Sequence, residues 1–82
     1  MNTACFIEWL GITKAMSTRS AKDVVSRCGR VSRMLELDEI NEHAIALLIE
    51  NTDFRNSSTF VRSQLKRAVS LYLEFSGELE KG

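Results

Sequence analysis

Proline is absent from this sequence, and glycine occurs only at positions 11, 29, 77 and 82. The chain also lacks the Asn-Gly turns and the alternation of apolar and polar residues that predict β-hairpins. Apolar residues recur instead at helical spacing. The sequence therefore predicts an all-α fold.

Residues that support metal binding or catalysis are few. The two cysteines, Cys5 and Cys28, lack the CxxC and Cys/His spacings of a zinc site, and both lie in apolar helical patterns. They predict buried thiols without a disulfide, in a reducing compartment. His43 is the single histidine, and no serine or cysteine near it in the sequence suggests a catalytic triad.

Phosphate loops of the GxGxxG and GxxxxGK[ST] types are also missing. A central acidic cluster lacks the alternating spacing and turn glycine of a calcium loop; it comprises Glu36, Asp38, Glu39 and Glu42. A chain of 82 residues builds one domain with a modest core, which leaves little room for a substrate cavity. We expect a single domain, residues 1–82, that is not an enzyme and uses no catalytic residue, cofactor, metal or small-molecule substrate.

Long apolar runs are missing too. None approaches the roughly 20 residues that cross a bilayer, and Glu8 interrupts the first apolar stretch, which has no basic segment before it. We therefore expect a cytoplasmic protein without a signal peptide or a membrane partner.

Net charge is zero, because eleven Lys and Arg residues balance eleven Asp and Glu residues. The charges are nevertheless arranged in blocks. From Lys14 to Arg33, six bases accompany one acid, Asp23, whereas the charged residues from Glu36 to Asp53 are all acidic. Bases return between positions 55 and 67. Blocks of one sign predict a polarised surface.

Four helices are predicted, over about residues 3–10, 18–35, 42–50 and 59–76. Gly11 and Gly77 are expected to end the first and the last of them. The expected N-caps are Ser17, Asn41 and either Ser57 or Ser58. Residues 51–57 are predicted to form a polar connector.

The second helix is strongly amphipathic. At 100° per residue its apolar side chains fall within an arc of about 120°; they are Ala21, Val24, Val25, Cys28, Val31 and Leu35. The opposite side carries a basic row within about 80°, formed by Arg19, Lys22, Ser26, Arg30 and Arg33. On the last helix, Arg62, Ser63 and Lys66 lie away from an apolar face that includes Phe60 and Tyr72.

These basic rows favour a nucleic-acid surface over a merely solvated one. Four residues after Lys22 comes Ser26, and four after Arg30 comes Met34, so no acid pairs with these two bases along the helix. Arginine dominates, and its planar fork suits phosphates and guanine edges. The alternative is a small helical protein–protein interaction module that docks an acidic partner.

Several segments carry a resemblance to a known family. An opening helix with an aromatic–leucine pair, Phe6–Leu10, precedes a helix that begins Ser17-Thr18-Arg19-Ser20-Ala21. The last helix matches most closely. The family pattern has a serine-led start, a basic residue and then Leu-x-x-Ala/Leu-Arg-x-Phe-x-x-Tyr/Phe-Leu. Residues 57–75 of this chain read SSTFVRSQLKRAVSLYLEF. The chain resembles the core-binding domain of tyrosine recombinases, the SAM-like N-terminal domain of phage integrases.

The resemblance, over about residues 6–77, implies a compact four-helix SAM-like domain that forms half of a clamp around duplex DNA. The second and fourth helices would face the grooves, with contacts from Arg19, Lys22, Ser26, Arg30, Arg33, Arg62, Ser63 and Lys66. It implies a DNA integration or recombination protein in which a C-terminal catalytic domain or other protomers complete the clamp. The chain departs from the family pattern in two ways. The catalytic domain of the family is absent, so Tyr72 does not correspond to the catalytic nucleophile. An acidic segment, residues 77–80, also stands where the family has a basic one.

Overall fold

The computed structural model describes residues 3–81, with side chains as far as residue 79, and the regular structure in that range is helical. Its five helices are α1 (Thr3–Thr13), α2 (Thr18–Leu35), α3 (Ala44–Glu50), α4 (Thr52–Arg55) and α5 (Thr59–Lys81). The predicted all-α class is confirmed. The predicted number of four helices is wrong, because one further helical turn lies between the third and the last.

Helix α2 has the predicted bounds because both of its ends are capped. The Ser17 Oγ accepts a hydrogen bond from the backbone N–H of Ser20 at 3.2 Å, which confirms the predicted N-cap. At the other end, Glu36 is left-handed with φ 55°, and the N–H of Leu37 donates to the carbonyl of Ser32 at 2.9 Å. This Schellman-type ending satisfies the last carbonyls of the helix.

The predictions that Gly11 and Gly77 end their helices are wrong, since α1 and α5 continue beyond them. A glycine within a helix costs about 1 kcal/mol relative to alanine, and α1 and α5 each contain one such residue and pack against each other. Beyond Gly77, Glu78 accepts a hydrogen bond from the indole Nε1–H of Trp9. Helix α1 ends before Ala15, which is left-handed with φ 53°.

The predicted polar connector over residues 51–57 contains the short helix α4. Asn51 caps this helix, because its Oδ1 accepts a hydrogen bond from the N–H of Phe54 at 3.1 Å. Phe54 is only 4% exposed, so the connector contributes an aromatic side chain to the core. Helix α3 begins at residue 44 rather than 42, after a turn in which the Asn41 Oδ1 accepts from the N–H of His43 at 2.9 Å.

Every helix supplies side chains to a single core. The buried residues are Phe6, Leu10, Ala21, Val24, Cys28, Val31, Ile40, Ala44, Leu48, Phe54, Leu65, Ala68, Val69, Leu71, Tyr72 and Phe75. An aromatic cluster joins α1 to α5: the ring of Phe6 stacks on Phe75 with centroids 5.0 Å apart and meets Tyr72 edge-on at 5.3 Å.

Cys28 lies where α2 crosses α5, and its Sγ–H donates to the carbonyl of Ala68 at 3.3 Å. Burial raises the pKa of this thiol to about 12. The prediction that Cys5 is buried is wrong, since it lies on the exposed side of α1. Phe60 also departs from its predicted place on the apolar face, with 70% of its surface exposed.

Helix α5 packs against α1, α2 and α3. Its 23 residues span about 34 Å, which matches the longest dimension of a molecule that measures 34 × 25 × 15 Å. None of the helices in the described range is both long enough and apolar enough to cross a membrane.

Candidate nucleic-acid interface

The basic row of α2 lies on the solvent side of the helix. All five predicted members, Arg19, Lys22, Ser26, Arg30 and Arg33, are exposed. They lie opposite a buried stripe formed by Ala21, Val24, Cys28 and Val31, so the division of this helix into two faces is confirmed. The row can therefore meet a large ligand without any change in the core.

Gly29 lies beside this row and is covered by one of its members. A Cβ at this position would lie 3.5 Å from the Nη1 of Arg33, which is an ordinary van der Waals contact with a flexible side chain. Beyond the helix's own nearby backbone, nothing else lies within 4 Å of that position. Close packing against another helix is therefore not the reason for a glycine here.

The bases of α2 are not neutralised by carboxylates. Among the Lys and Arg side chains of residues 3–79, Lys14 alone forms an ion pair, with its Nζ 2.8 Å from the Oε1 of Glu74. Asp23 follows Arg19 at the helical spacing of an ion pair, but the two do not form one. The positive charge of the row is thus available to an external anion.

The predicted residues of the last helix lie together in a groove between α5 and the α3–α4 segment. We call this the basic groove; it has a volume of about 380 Å³ and is lined by Ile49, Phe54, Arg55, Thr59, Arg62, Ser63 and Lys66. The Nη2–H of Arg62 donates to the Oγ1 of Thr59 at 3.2 Å, which directs the guanidinium along the first turn of α5. No carboxylate is among the lining residues.

A separate cleft lies between α2 and α5. It encloses about 430 Å³ and brings Arg27 of α2 close to Arg67 of α5, beside Ser17, Ser20 and Asp23. The structure therefore groups the predicted residues in two sets, since the α2 row lines neither cavity and Arg62, Ser63 and Lys66 line the basic groove.

Sequence reasoning missed three bases that line these cavities: Arg27, Arg55 and Arg67. Arg27 lies half-buried on the flank of α2, between its apolar face and its solvent side, and that position was the available signal, whereas Arg67 is exposed on α5. Arg55 lies in the segment predicted to be a loop. The sequence signal for a helix at Arg55 was Asn51, which precedes Phe54 by three residues. This is the spacing between an N-cap side chain and the backbone N–H that it caps.

Both long helices begin with basic rather than acidic residues. The first charged residue is Arg19 in α2 and Arg62 in α5, and neither helix has an acid in its first turn. Because the amide groups at a helix N-terminus already carry partial positive charge, acids are the usual residues there. The reverse arrangement concentrates positive potential at both helix starts.

The opposite end of α5 is acidic. Glu74 and Glu78 extend from it, and the connector after α2 brings Glu39 to its side, where the Oε1 of Glu39 accepts a hydrogen bond from the Tyr72 hydroxyl at 2.5 Å. Burial, and then the hydrogen bond and negative charge of Glu39, raise the pKa of Tyr72 to about 12. The prediction that Tyr72 belongs to the apolar face is confirmed, since it is 4% exposed.

The acidic end also holds a cavity of about 760 Å³, larger than the basic groove and the α2–α5 cleft, which is lined by Glu39, Glu42, His43 and residues of α5. The Nε2 of His43 lies 3.5 Å from the Oε1 of Glu42. Within the described range, no three His, Cys, Asp or Glu side chains are grouped so as to hold a metal ion. The cationic surfaces of α2 and α5 are therefore the features with the clearest binding chemistry.

No protein family, curated protein or solved structure matches this chain.

Proposed function

We propose that this chain is a DNA-binding domain that contacts duplex DNA through α2 and the N-terminal half of α5. The observation that carries the proposal is the exposed row of Arg19, Lys22, Arg30 and Arg33, none of which has a carboxylate partner. A polyanion gains most from such a surface, because neutralising its phosphates releases condensed counterions.

The side chains of the row are better suited to binding DNA than to keeping the protein in solution. Three of its four bases are arginines, whose forks pair with phosphate oxygens and with the O6 and N7 of guanine. Ser26 lies between them as a small hydroxyl donor, a type common at phosphate contacts. An α-helix of this width enters the major groove of B-DNA.

The resemblance to the core-binding domain of tyrosine recombinases extends the proposal. We propose a SAM-like domain of this type, in which α1, α2, α3 and α5 correspond to its four helices and α4 is a single added turn. The chain would then be one half of a DNA clamp in an integration or recombination protein, completed by a catalytic domain or by other protomers. It would not itself be an enzyme, and the buried Tyr72 would serve packing.

Fluorescence anisotropy with a generic labelled duplex tests this proposal. Between about 50 and about 200 mM salt, the logarithm of affinity is expected to fall with a slope of about −4 to −6 against the logarithm of salt concentration, as for four to seven phosphate contacts. The double variant Arg19→Gln/Arg30→Gln should reduce the steepness of that slope by about 2.

The double variant Ala4→Glu/Ala46→Glu is the matched control. It changes net charge by the same amount at two exposed helical positions away from the row. Its slope is expected to equal that of the wild type. An equal loss in both folded variants would show that net charge alone governs binding, and the proposed interface would be wrong.

A protein-interaction module is the second candidate, and Ile49 is the observation that favours it. This side chain is 51% exposed at the edge of the basic groove, where an acidic partner with an apolar residue would fit. Backbone amide shift mapping distinguishes the two candidates. Duplex DNA should shift the amides of Arg19, Lys22, Arg30 and Arg33, whereas the second candidate predicts no such clustered shifts with DNA.

A further inference from the structure

The basic groove combines side chains from three consecutive helices. Arg55 comes from α4, Ile49 from α3, and Arg62 and Lys66 from α5. The α4 turn is fixed by its Asn51 cap, and its Phe54 is anchored in the core. The Asn51 cap and the buried Phe54 ring therefore hold Arg55 in place beside α5.

The charged side chains that line the groove are all positive. Its three bases have no carboxylate partner, and the acids nearest in sequence, Glu50 and Asp53, are not among its lining residues. The hydroxyls of Thr59 and Ser63 add two neutral hydrogen-bonding groups to the same wall. Three cationic side chains with two hydroxyls form a donor set for an anion that has several oxygens.

The groove also lies at the start of α5. The backbone there carries partial positive charge, and Arg62 adds a full charge where an acid is usual. Ser58 already occupies one of the first N–H groups, since its Oγ accepts from the N–H of Val61 at 3.2 Å. The anion would thus be held mainly by the three side chains, and the helix start would strengthen their field.

We infer that the basic groove is a binding site for a backbone phosphodiester of nucleic acid, and that Arg55 is a positioning and binding residue of this site. The inference rests on the proposed function, because the phosphate it holds would belong to the duplex bound by α2. A phosphodiester fits the groove because its three bases and two hydroxyls can all donate to phosphate oxygens, and the ring of Phe54 is nearly covered.

The first test is the salt dependence of duplex binding by Arg55→Gln. Loss of one phosphate contact should make the slope of log affinity against log salt less steep by about 1. Ala4→Glu is the matched control, since it changes net charge by the same amount at an exposed position of α1 that does not line the groove. The control should keep the wild-type slope, and equal effects of the two variants would overturn the assignment of the groove.

The second test uses the full chain, uniformly labelled with ¹⁵N, and inorganic phosphate as the probe. Saturable shifts at the amides of Arg55, Thr59, Arg62, Ser63 and Lys66 are expected, and Arg55→Gln should remove them. Shifts spread evenly over all basic residues would overturn the inference. Larger groove shifts with a poly-glutamate peptide than with a short duplex would also overturn it, in favour of an acidic protein partner.

The two tests separate this inference from the proposed function. If the α2 variants weaken DNA binding while Arg55→Gln retains the wild-type slope, the groove assignment fails and the DNA-binding proposal stands. If the wild type binds no duplex, the DNA-binding proposal fails, and with it the assignment of the phosphate to nucleic acid.

Discussion

The side-chain amide of Asn51 donates from its Nδ2 to the backbone carbonyl of Met34 at 3.2 Å. Through its Oδ1 the same side chain accepts from the N–H of Phe54. One residue therefore links the last turn of α2 to the first turn of α4, and it fixes the position of Arg55 relative to the basic row.

Asn51→Ser separates these two functions. Serine retains the N-cap of α4 but has no donor that reaches Met34, so the variant should lose about 1 kcal/mol of unfolding free energy. Asn51→Ala loses the cap as well and should cost about 1 kcal/mol more. Urea unfolding monitored by far-UV circular dichroism measures both values. Equal stability of Asn51→Ser and the wild type would show that the bond to Met34 contributes nothing.

Gly29→Ala is expected to stabilise the protein. Alanine is favoured over glycine within a helix by about 1 kcal/mol, and the new methyl group would meet only the mobile end of Arg33. Gly77→Ala is the comparison, because nothing lies within 4 Å of its added Cβ and it too is within a helix. Both variants should raise the midpoint of thermal unfolding. A fall confined to Gly29→Ala would indicate that this glycine is needed for a contact.

The two thiols should differ sharply in reactivity. Cys5 is exposed, whereas Cys28 has no exposed surface and burial raises its pKa to about 12. Because the thiolate is the reactive form, an excess of Ellman's reagent should modify Cys5 rapidly and Cys28 only as the protein unfolds. Cys5→Ser should abolish the rapid phase. Rapid modification of that variant in native buffer would contradict the buried position of Cys28.

Stability should decline in alkaline solution. The pKa values of Cys28 and Tyr72 are both raised to about 12 in the folded protein, from 9.0 and 10.0. Above about pH 9 the unfolded chain loses these protons before the folded chain does, so the free energy of unfolding falls with rising pH until about pH 12. Below pH 9 the two groups contribute their full stabilisation.

Urea unfolding at about pH 8 and about pH 11 measures this decline. Tyr72→Phe should have a smaller difference between the two pH values than the wild type, because one of the two ionisations is removed. A difference as large as in the wild type would assign the decline to other groups.

The sequence predicts α2 well because its signals are local. Ser17 caps the helix, the apolar residues repeat at a period of 3.6, and the exposure of the basic row follows from that period alone. The prediction fails where contacts between helices determine where a helix ends. Helix α5 continues past Gly77, and the residue that follows, Glu78, accepts a hydrogen bond from Trp9, which is distant in sequence.

The candidate site was predictable only to the extent that it lies on one helix. Phe60 follows the apolar pattern of α5 near the start of the helix, yet 70% of its surface is exposed. The basic groove depends on how α4 is placed against α5, and a four-residue helix has too short a pattern to be detected. The spacing of Asn51 and Phe54 indicates a helical turn at Arg55, but only the assembled structure places this side chain beside α5.

The distribution of charge along α5 has a mechanical consequence. Arg62, Lys66 and Arg67 lie in its first half, whereas Glu74 and Glu78 lie in its second half. A molecule with zero net charge experiences little net pull from a distant polyanion, but one with separated charges experiences a torque. The domain should therefore rotate as it approaches a duplex, so that the start of α5 arrives first. Its association rate would then depend on orientation, and added salt would slow it by shortening the distance over which the torque acts.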